Sequence, residues 1–147
     1  MFTTLNKDNL ELAIDFYDLV KDDYFFTHFQ HTHPSEMLKG WDVYLFITDR
    51  IASWGQVQKF GGNKSHTARL GFCVHPIYRQ NGYGGEILNY TLSKCSRYEK
   101  LTASTRSDNT LMLNMFLKNN FIVEGCFVNE EKQDNKSINI LSLARYQ

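Results

Sequence analysis

The segment from Leu70 to Gly85 carries the residues whose types and spacing best match a known chemistry. A strand-like run leads into a turn rich in glycine, and the turn opens a helix. The first N–H groups of a helix have no internal partner and carry partial positive charge, and glycines let several of them converge on one anion. Arg79 adds a charged donor beside Gly82 and Gly84. The segment therefore predicts a binding site for a phosphate or pyrophosphate.

Two common phosphate-binding patterns do not match this turn. The Walker pattern G-x-x-x-x-G-K-[ST] is absent, and a dinucleotide fingerprint needs glycine or alanine where Ile87 stands. The pattern [QR]-x-x-G-x-[GA] is met by Arg79, Gly82 and Gly84, and a V-x-P-x-x-R spacing leads into it. The turn resembles the pyrophosphate loop of the GNAT acyltransferases, which bind the diphosphate of coenzyme A.

The resemblance implies where the cofactor, acetyl-CoA, would lie. Its pantetheine arm would enter between two splayed strands, residues 66–74 and 100–106, and pair with the first strand like an added strand edge. A second family signature, N-x-x-A-x-x-[LFM]-[YF]-x-K-x-G-F, is similar to the chain from Asn109 to Phe121. Asn109 would contact the cofactor arm or cap a helix, and both roles stay open. The expected cofactor-binding residues are Phe72, Cys73, Val74, Arg79, Gln80, Asn81, Gly82, Tyr83, Gly84, Gly85, Asn109 and Phe116.

The chain departs from the family at both proton-transfer positions. Many members have tyrosine where Phe116 stands, and losing such a general acid costs about 10²–10⁴-fold in rate. Many also carry a glutamate base in the fourth strand, whereas this chain has Arg69 and no carboxylate from 66 to 74. Aligning an amine with a thioester still lowers the barrier by proximity. Substitute catalytic candidates are His66, Tyr83, Tyr90 and Cys126, although side chains of these types are more often structural.

A cluster of histidines and aromatic residues precedes Pro34. His28, His31 and His33 could ligate zinc, but neither a cysteine nor an H-x-x-x-H spacing accompanies them, so we expect no metal. In the GNAT layout this region flanks the acceptor site, which favours substrate contact. The aromatic residues that would line an acceptor pocket, or belong to the core, are Tyr24, Phe25, Phe26 and Phe29.

Hydrophobic periodicity predicts the elements that position these residues. Strands are expected at 2–5, 42–48, 51–59, 66–74, 100–106, 121–128 and 137–145, with an exposed polar hairpin loop at 129–136 joining the last two. Helices are expected from a capping box at Asp8 and Glu11, after Pro34, at 84–97 and at 109–119, the last apolar almost all round and so buried on more than one side. The predicted fold is α/β of the GNAT type: a mixed, mostly antiparallel sheet of about seven strands flanked by helices.

Composition sets the remaining expectations. The 147 residues suit one domain, a single GNAT N-acetyltransferase domain over 1–147. Sixteen basic residues balance sixteen acidic ones, which argues against a dedicated nucleic-acid binder. Three cysteines without a C-x-x-C pair predict free thiols in a reducing compartment, the cytoplasm. The chain shows neither a signal-peptide pattern nor a membrane-spanning apolar run.

The sequence therefore predicts an N-acetyltransferase that moves an acetyl group from acetyl-CoA to the primary amine of a small molecule or peptide by direct attack in a ternary complex. The alternative is a coenzyme-A-binding module of GNAT type with weak or no catalysis, serving as a sensor or assembly part. Phe116 and the lack of a carboxylate at 66–74 motivate that alternative. A homodimer is a further hypothesis, based on the apolar helix at 109–119 and the last two strands.

Overall fold

The computed structural model describes residues 1–23 and 32–147. Its strands are β1 Phe2–Thr4, β2 Trp41–Ile47, β3 Ile51–Lys59, β4 Thr67–Val74, β5 Lys100–Arg106, β6 Ile122–Gln133 and β7 Lys136–Tyr146. Its α-helices are α1 Leu10–Val20, α2 Pro34–Met37, α3 Tyr83–Ser93 and α4 Thr110–Lys118. The described strands form one seven-stranded sheet in the order β1-β2-β3-β4-β5-β7-β6. Neighbours are antiparallel except β4 and β5, which are parallel, so the predicted mixed sheet is confirmed.

Helices cover both faces of the sheet. On one face Ile87 of α3 and Phe116 of α4 belong to a buried cluster with Phe72. On the other face Phe16 of α1 packs with Trp54 in a second cluster. Successive side chains of a strand point to opposite faces, so β4 contributes Phe72 to the first cluster while its neighbour, Cys73, packs against the second.

The two parallel strands pair only where they begin. Thr67, Ala68 and Arg69 of β4 lie opposite residues 100–102 of β5, and the paired register stops there. Beyond that point β4 stays paired with β3 up to Val74, and β5 stays paired with β7 up to Arg106. The two strands therefore separate toward their carboxyl ends, as the resemblance implied.

The first helical segment starts earlier than predicted, and α3 ends earlier. The side chain of Asn6, and not of Asp8, accepts hydrogen bonds from the N–H groups of residues 8 and 9, and the Asn9 side chain accepts one from the Asn6 N–H. A short turn of 3-10 helix, Lys7–Asn9, then leads into α1. The helix α3 ends at Ser93, four residues before the predicted end.

The predicted hairpin between the last two strands is confirmed, but its predicted loop over 129–136 is too long. The strands β6 and β7 continue through it and join at Asp134 and Asn135, whose φ angles are +50° and +61°. Two central residues with positive φ match the tight hairpin turn that suits the twist of paired strands. Asn129, also at positive φ, lies where the β6 register shifts.

Helix α4 is less buried than its composition predicted. Phe116 is 1% exposed, but Leu111 is 69% exposed and Leu117 is 44% exposed. Only one side of α4 packs on the sheet, so the expectation of burial on more than one side is wrong. No helix within residues 1–23 and 32–147 has the length and apolar character to cross a bilayer.

Candidate functional site

A cavity of about 480 Å³ lies at the carboxyl end of β4, beside the amino ends of α3 and α4. Four parts of the chain build its wall: the end of β4, the glycine-rich turn with the first residues of α3, the first turns of α4 with the residue before them, and Asp23 after α1. The lining residues are Asp23, Phe72, Cys73, Val74, Arg79, Gln80, Gly82, Gly84, Gly85, Asn109, Leu111, Met112 and Met115. These are largely the residues that the resemblance predicted.

The glycine-rich turn places the amino end of α3 at this cavity. Gly82 caps the helix with φ +85°, a left-handed conformation that glycine adopts without strain. Gln80 also has positive φ, at +64°. The first intrahelical bond runs from the Glu86 N–H to the Gly82 carbonyl, so the N–H groups of residues 83–85 have no acceptor within the helix. The turn thus has the donors that an anion would need.

The edge of β4 turns its backbone groups toward the cavity. The N–H of His75 donates to the Ala52 carbonyl in β3 at 2.9 Å. Backbone groups alternate in direction along a strand, so the N–H and C=O groups of Phe72 and Val74 point away from β3, into the space between β4 and β5. This edge could pair with an extended, amide-containing ligand.

His75 is a structural residue in this arrangement. Its Nδ1 accepts a hydrogen bond from the Ile77 N–H at 3.3 Å, and its ring packs against Phe16 and Tyr78. Burial lowers the pKa of the imidazole, and the nearby Arg50 and Arg79 lower it further. The neutral ring therefore holds the turn that follows β4.

Two side chains of opposite charge meet in the cavity wall. Arg79 Nη2 donates to Asp23 Oδ2 at 2.7 Å, and Arg79 Nε donates to the Val74 carbonyl at 3.3 Å. Asp23 follows α1, so this contact joins the α1 side of the cleft to β4. Arg79, which the resemblance predicts to bind a phosphate, is thus already paired with the Asp23 carboxylate.

Most of the predicted cofactor-binding residues lie in the cavity wall, and their contact with coenzyme A stays a prediction. Asn109 caps α4, since its Oδ1 accepts from the Met112 N–H at 3.2 Å, and it also lines the cavity. Asn109 can therefore cap α4 and still contact a cofactor in the cavity. Three predicted residues do not line the cavity: Asn81, Tyr83 and Phe116. Phe116 is buried between Phe72 and Phe121.

The proposed catalytic substitutes lie away from the described cavity. His66 is exposed just before β4, at the end remote from the glycine-rich turn. The Tyr90 ring stacks on Phe2 with 4.1 Å between centroids, and Cys126 is exposed on β6. Tyr83 packs against Phe46 and Tyr78. Catalytic roles for His66, Tyr83 and Tyr90 stay predictions that this arrangement does not favour.

The histidine cluster lies mostly outside the described residues. His33 caps α2, with its Nδ1 accepting from the Ser35 N–H at 3.3 Å. His28 and His31 lie outside the described residues, together with the predicted pocket aromatics Tyr24, Phe25, Phe26 and Phe29. Among residues 1–23 and 32–147, no group of three or more histidine, cysteine or acidic residues could hold a metal ion.

Sequence reasoning missed four lining residues. Leu111, Met112 and Met115 were interpreted as parts of a buried helix, although the exposed leucine at the start of α4 belongs to the cavity wall. Asp23 had no sequence signal, because an acidic residue after a helix is common and its pairing with Arg79 spans 56 positions. Only the contact between Asp23 and Arg79 in the folded chain reveals it.

Comparisons with known proteins agree with this geometry. The model of the Acetyltransferase (GNAT) family matches residues 8–121. A GNAT-family acetyltransferase from Streptococcus pneumoniae has a TM-score of 0.83 at 13% identity, covering 100% of this chain and 99% of that one. A ribosomal-protein-alanine N-acetyltransferase from Brucella melitensis has 0.82 at 12% identity, covering 100% and 99%.

A third solved structure contains a ligand. The protein yncA from Salmonella typhimurium, solved with its cofactor acetyl-CoA, has a TM-score of 0.81 at 12% identity, covering 99% of this chain and 92% of that one. At such low sequence identity, these structural matches show only that the fold is shared. No curated protein matches the sequence. The family model, which covers most of the chain, shows that this protein belongs to the GNAT acetyltransferase family.

Proposed function

We propose that this protein is an N-acetyltransferase that binds acetyl-CoA between β4 and β5 and transfers its acetyl group to the primary amine of a small molecule or peptide. The observation that carries the proposal is the composition of the cavity wall. One cavity joins an unpaired strand edge, a helix amino end capped by Gly82, and Asn109. These are the groups that would hold a pantetheine arm and a pyrophosphate.

The glycines fit a cofactor that must approach the backbone closely. A Cβ atom on Gly84 would lie 3.1 Å from Met115 Cε and 3.4 Å from Val74 Cγ2, inside the cavity wall. A side chain there would fill the space above the N–H groups that start α3. The pyrophosphate would accept hydrogen bonds from these N–H groups, and the β4 edge would pair with the pantetheine amides. Acetyl-CoA seen in yncA supports this assignment.

Direct attack by the amine is the mechanism that the site supports. The thiol nearest to the cleft belongs to Cys73, and burial raises its pKa to about 12, so the reactive thiolate is nearly absent at neutral pH. An acyl-cysteine intermediate is therefore disfavoured. The nitrogen of the neutral amine would attack the carbonyl carbon of the thioester and lose one proton to water, the C–S bond would break, and coenzyme A would leave as its thiolate.

Proton transfer is where this chain differs from many relatives. Phe116 has no hydroxyl and is 1% exposed, so it cannot protonate the departing thiolate, which would take its proton from water. This observation also favours a second candidate, a coenzyme-A-binding module with weak or no turnover. Turnover separates the two candidates, because both require cofactor binding.

We further propose three finer points. The chain would work as one domain over 1–147, and its three free thiols favour the reducing environment of the cytoplasm. A homodimer would form through β6, an edge strand with four exposed apolar side chains: Ile122, Val123, Phe127 and Val128.

Calorimetric titration with acetyl-CoA tests cofactor binding. We expect micromolar affinity for the wild type and no measurable binding for a Gly82→Glu, Gly84→Glu variant, because two carboxylates would occupy the phosphate position. A Gly40→Glu, Gly61→Glu variant is the matched control, since a Cβ atom at either glycine meets nothing within 4 Å and neither lines the cavity. Absence of binding to folded wild-type protein would overturn the proposal.

Release of free thiol from acetyl-CoA in the presence of a panel of primary amines then tests turnover. Amine-dependent release supports the acetyltransferase. Binding without amine-dependent release supports the module with weak or no catalysis. A Phe116→Tyr variant that gained rate would show that the general-acid position is aligned with the thioester but lacks a proton donor.

A further inference from the structure

Arg79 bridges two sides of the cofactor cleft. Its Nη2 donates to Asp23 Oδ2 at 2.7 Å, and its Nε donates to the Val74 carbonyl at 3.3 Å. Both partners line the cavity, and among the described lining residues Asp23 and Arg79 are the two charged ones. The bridge therefore engages two groups that the cofactor would use: the Arg79 guanidinium, which would bind a phosphate, and the Val74 carbonyl, which would accept from a pantetheine amide.

A carboxylate and a phosphate make the same kind of contact with a guanidinium group. Arginine binds either through a planar fork of N–H donors, and a charge-assisted bond to one uses donors needed for the other. A cofactor phosphate near Arg79 would also meet the negative charge of Asp23. Both effects oppose simultaneous contact of Asp23 and a phosphate with Arg79.

The ion pair between Asp23 and Arg79 is exposed enough for a ligand to replace Asp23. The Asp23 side chain is 20% exposed and the Arg79 side chain is 43% exposed, so solvent screens the pair. Partly exposed ion pairs are weak, and a ligand that offers several contacts can displace one partner. Asp23 is thus positioned to compete with the ligand without blocking the cavity.

We propose that Asp23 and the pyrophosphate of coenzyme A compete for the Arg79 guanidinium, so that Asp23 lowers the affinity of the cleft for the cofactor. The inference rests on the proposed function, because it requires the pyrophosphate to lie at the turn after β4. Cofactor binding then exchanges the Arg79 contact from carboxylate to phosphate and frees the Val74 carbonyl for the pantetheine arm. The Asp23 carboxylate stays in the cavity wall after the exchange.

The affinity of acetyl-CoA for Asp23→Asn tests the competition. Asparagine keeps the size of the side chain but removes its charge, so we expect the dissociation constant to fall about threefold to tenfold at physiological ionic strength. Asp22→Asn is the matched control: it removes the same charge from the adjacent, exposed position, which does not line the cavity. That control should stay within about twofold of the wild type.

A double-mutant cycle with Arg79→Gln assigns the effect to Arg79. Glutamine occurs at this position in the family pattern, so this variant should retain measurable binding. We expect Asp23→Asn to tighten binding in the wild-type background and to leave it unchanged in the Arg79→Gln background.

Each other outcome rejects the competition. Unchanged or weaker binding by Asp23→Asn, with normal binding by the wild type, overturns the inference and leaves the proposed function in place. Equal tightening in both backgrounds also overturns it, because the effect would then be general charge repulsion. A folded wild-type protein that does not bind acetyl-CoA overturns the proposed function itself.

Discussion

Gly84 at the start of α3 and Met115 in α4 face each other in the wall of the cleft, so closely that a methyl group on Gly84 would lie 3.1 Å from the Met115 Cε atom. The same methyl group would lie 3.4 Å from Val74 Cγ2, so it would be confined from two sides. Met115 ends in a flexible thioether, which can move, but its side chain lines the cavity. Because Gly84 has no side chain, α3, α4 and β4 can pack close to one another without narrowing the cleft.

We predict that Gly84→Ala weakens acetyl-CoA binding about threefold to tenfold, because the new methyl group displaces Met115 into the cleft. Gly61→Ala is the control, since a Cβ atom there meets nothing within 4 Å and the residue does not line the cavity, and it should bind like the wild type. Calorimetric titration of both variants measures the difference. Equal affinities would show that the cofactor does not pass the Gly84–Met115 contact.

A second glycine is required for stability rather than for binding. A Cβ atom on Gly55 in β3 would lie 2.1 Å from Thr91 Oγ1 and 3.1 Å from Ile87 Cγ1. Thr91 is 1% exposed and its hydroxyl donates to the Ile87 carbonyl at 2.7 Å, so rotating it away breaks a buried hydrogen bond. The helix α3 can pack on β3 only because residue 55 lacks a side chain.

We therefore predict that Gly55→Ala lowers the free energy of unfolding by about 1–3 kcal/mol, as overpacking of a core does. Urea denaturation measures the change. Adding Thr91→Ala removes the clashing oxygen, so the double variant should be more stable than expected from the sum of the two single effects. Strict additivity would contradict the proposed clash.

The fold was largely predictable because its signals are local. Strand β5 matches its predicted bounds, and β3 does as well, since alternating or continuous apolar runs mark strands that pack between helices. The second half of β6 gave no such signal, because both faces of this edge strand are exposed and polar side chains are tolerated on either. Its hairpin turn was readable only from Asp134 and Asn135, residues that accept positive φ.

The candidate site was predictable in proportion to how much of it lies in one stretch of chain. Residues 72–85 carry the strand edge and the helix amino end together, so a local pattern locates them. Asp23 and Leu111 reach the cavity only through tertiary packing, and no pattern in their own neighbourhoods predicts that. Composition also misled at α4, because apolar residues that line a cleft look like core residues in the sequence.

Asp49 makes a specific contribution to the pH dependence of stability. Hydrogen bonds from the Tyr78 hydroxyl, and then from Thr48 and Arg50, lower the pKa of the Asp49 carboxyl from 3.8 to about 2. A carboxyl whose pKa is lower in the folded state stabilises the fold above the unfolded pKa near 4. That stabilisation is lost as the pH falls from about 4 toward 2.

We predict that Tyr78→Phe, which removes the largest cause, makes stability less dependent on pH between about 4 and 2. Urea denaturation at several pH values in this range measures the slope. Tyr90→Phe is the control, since that ring packs on Phe2 instead, and it should keep the wild-type slope. A Tyr78→Phe slope equal to that of the wild type would reject the assignment.

The cysteines should differ sharply in reactivity. Burial raises the pKa of Cys73 to about 12 and that of Cys95 to about 11, whereas Cys126 is exposed on β6. At pH 8 a thiol with the pKa of Cys73 is thiolate in only about 1 molecule in 10⁴. We predict one fast-reacting thiol with a disulfide reagent, lost in Cys126→Ser.

Cys73→Ala should retain acetyl-CoA binding and amine-dependent turnover, and loss of turnover alone would revive an acyl-cysteine mechanism.

The last prediction concerns dimerisation through β6, a strand at the edge of the sheet. Strand β6 lies at the edge, and its apolar side chains at positions 123, 127 and 128 are 47%, 55% and 69% exposed. An edge strand with exposed apolar side chains is a ready surface for association, and pairing of the first half of β6 with a second copy would bury these side chains. We predict a dimer of the 17.2 kDa chain by light scattering at micromolar concentration.

A Phe127→Lys, Val128→Lys variant should shift the mass to that of the monomer, because charge on this strand opposes burial. Leu12→Lys, Leu19→Lys is the matched control: those leucines are 45% and 51% exposed on α1, and the control should remain dimeric. Acetyl-CoA affinity should be unchanged in both variants, since none of the four positions lines the cavity. A monomeric wild type at every concentration would reject the dimer, and a control that also became monomeric would move the interface to α1.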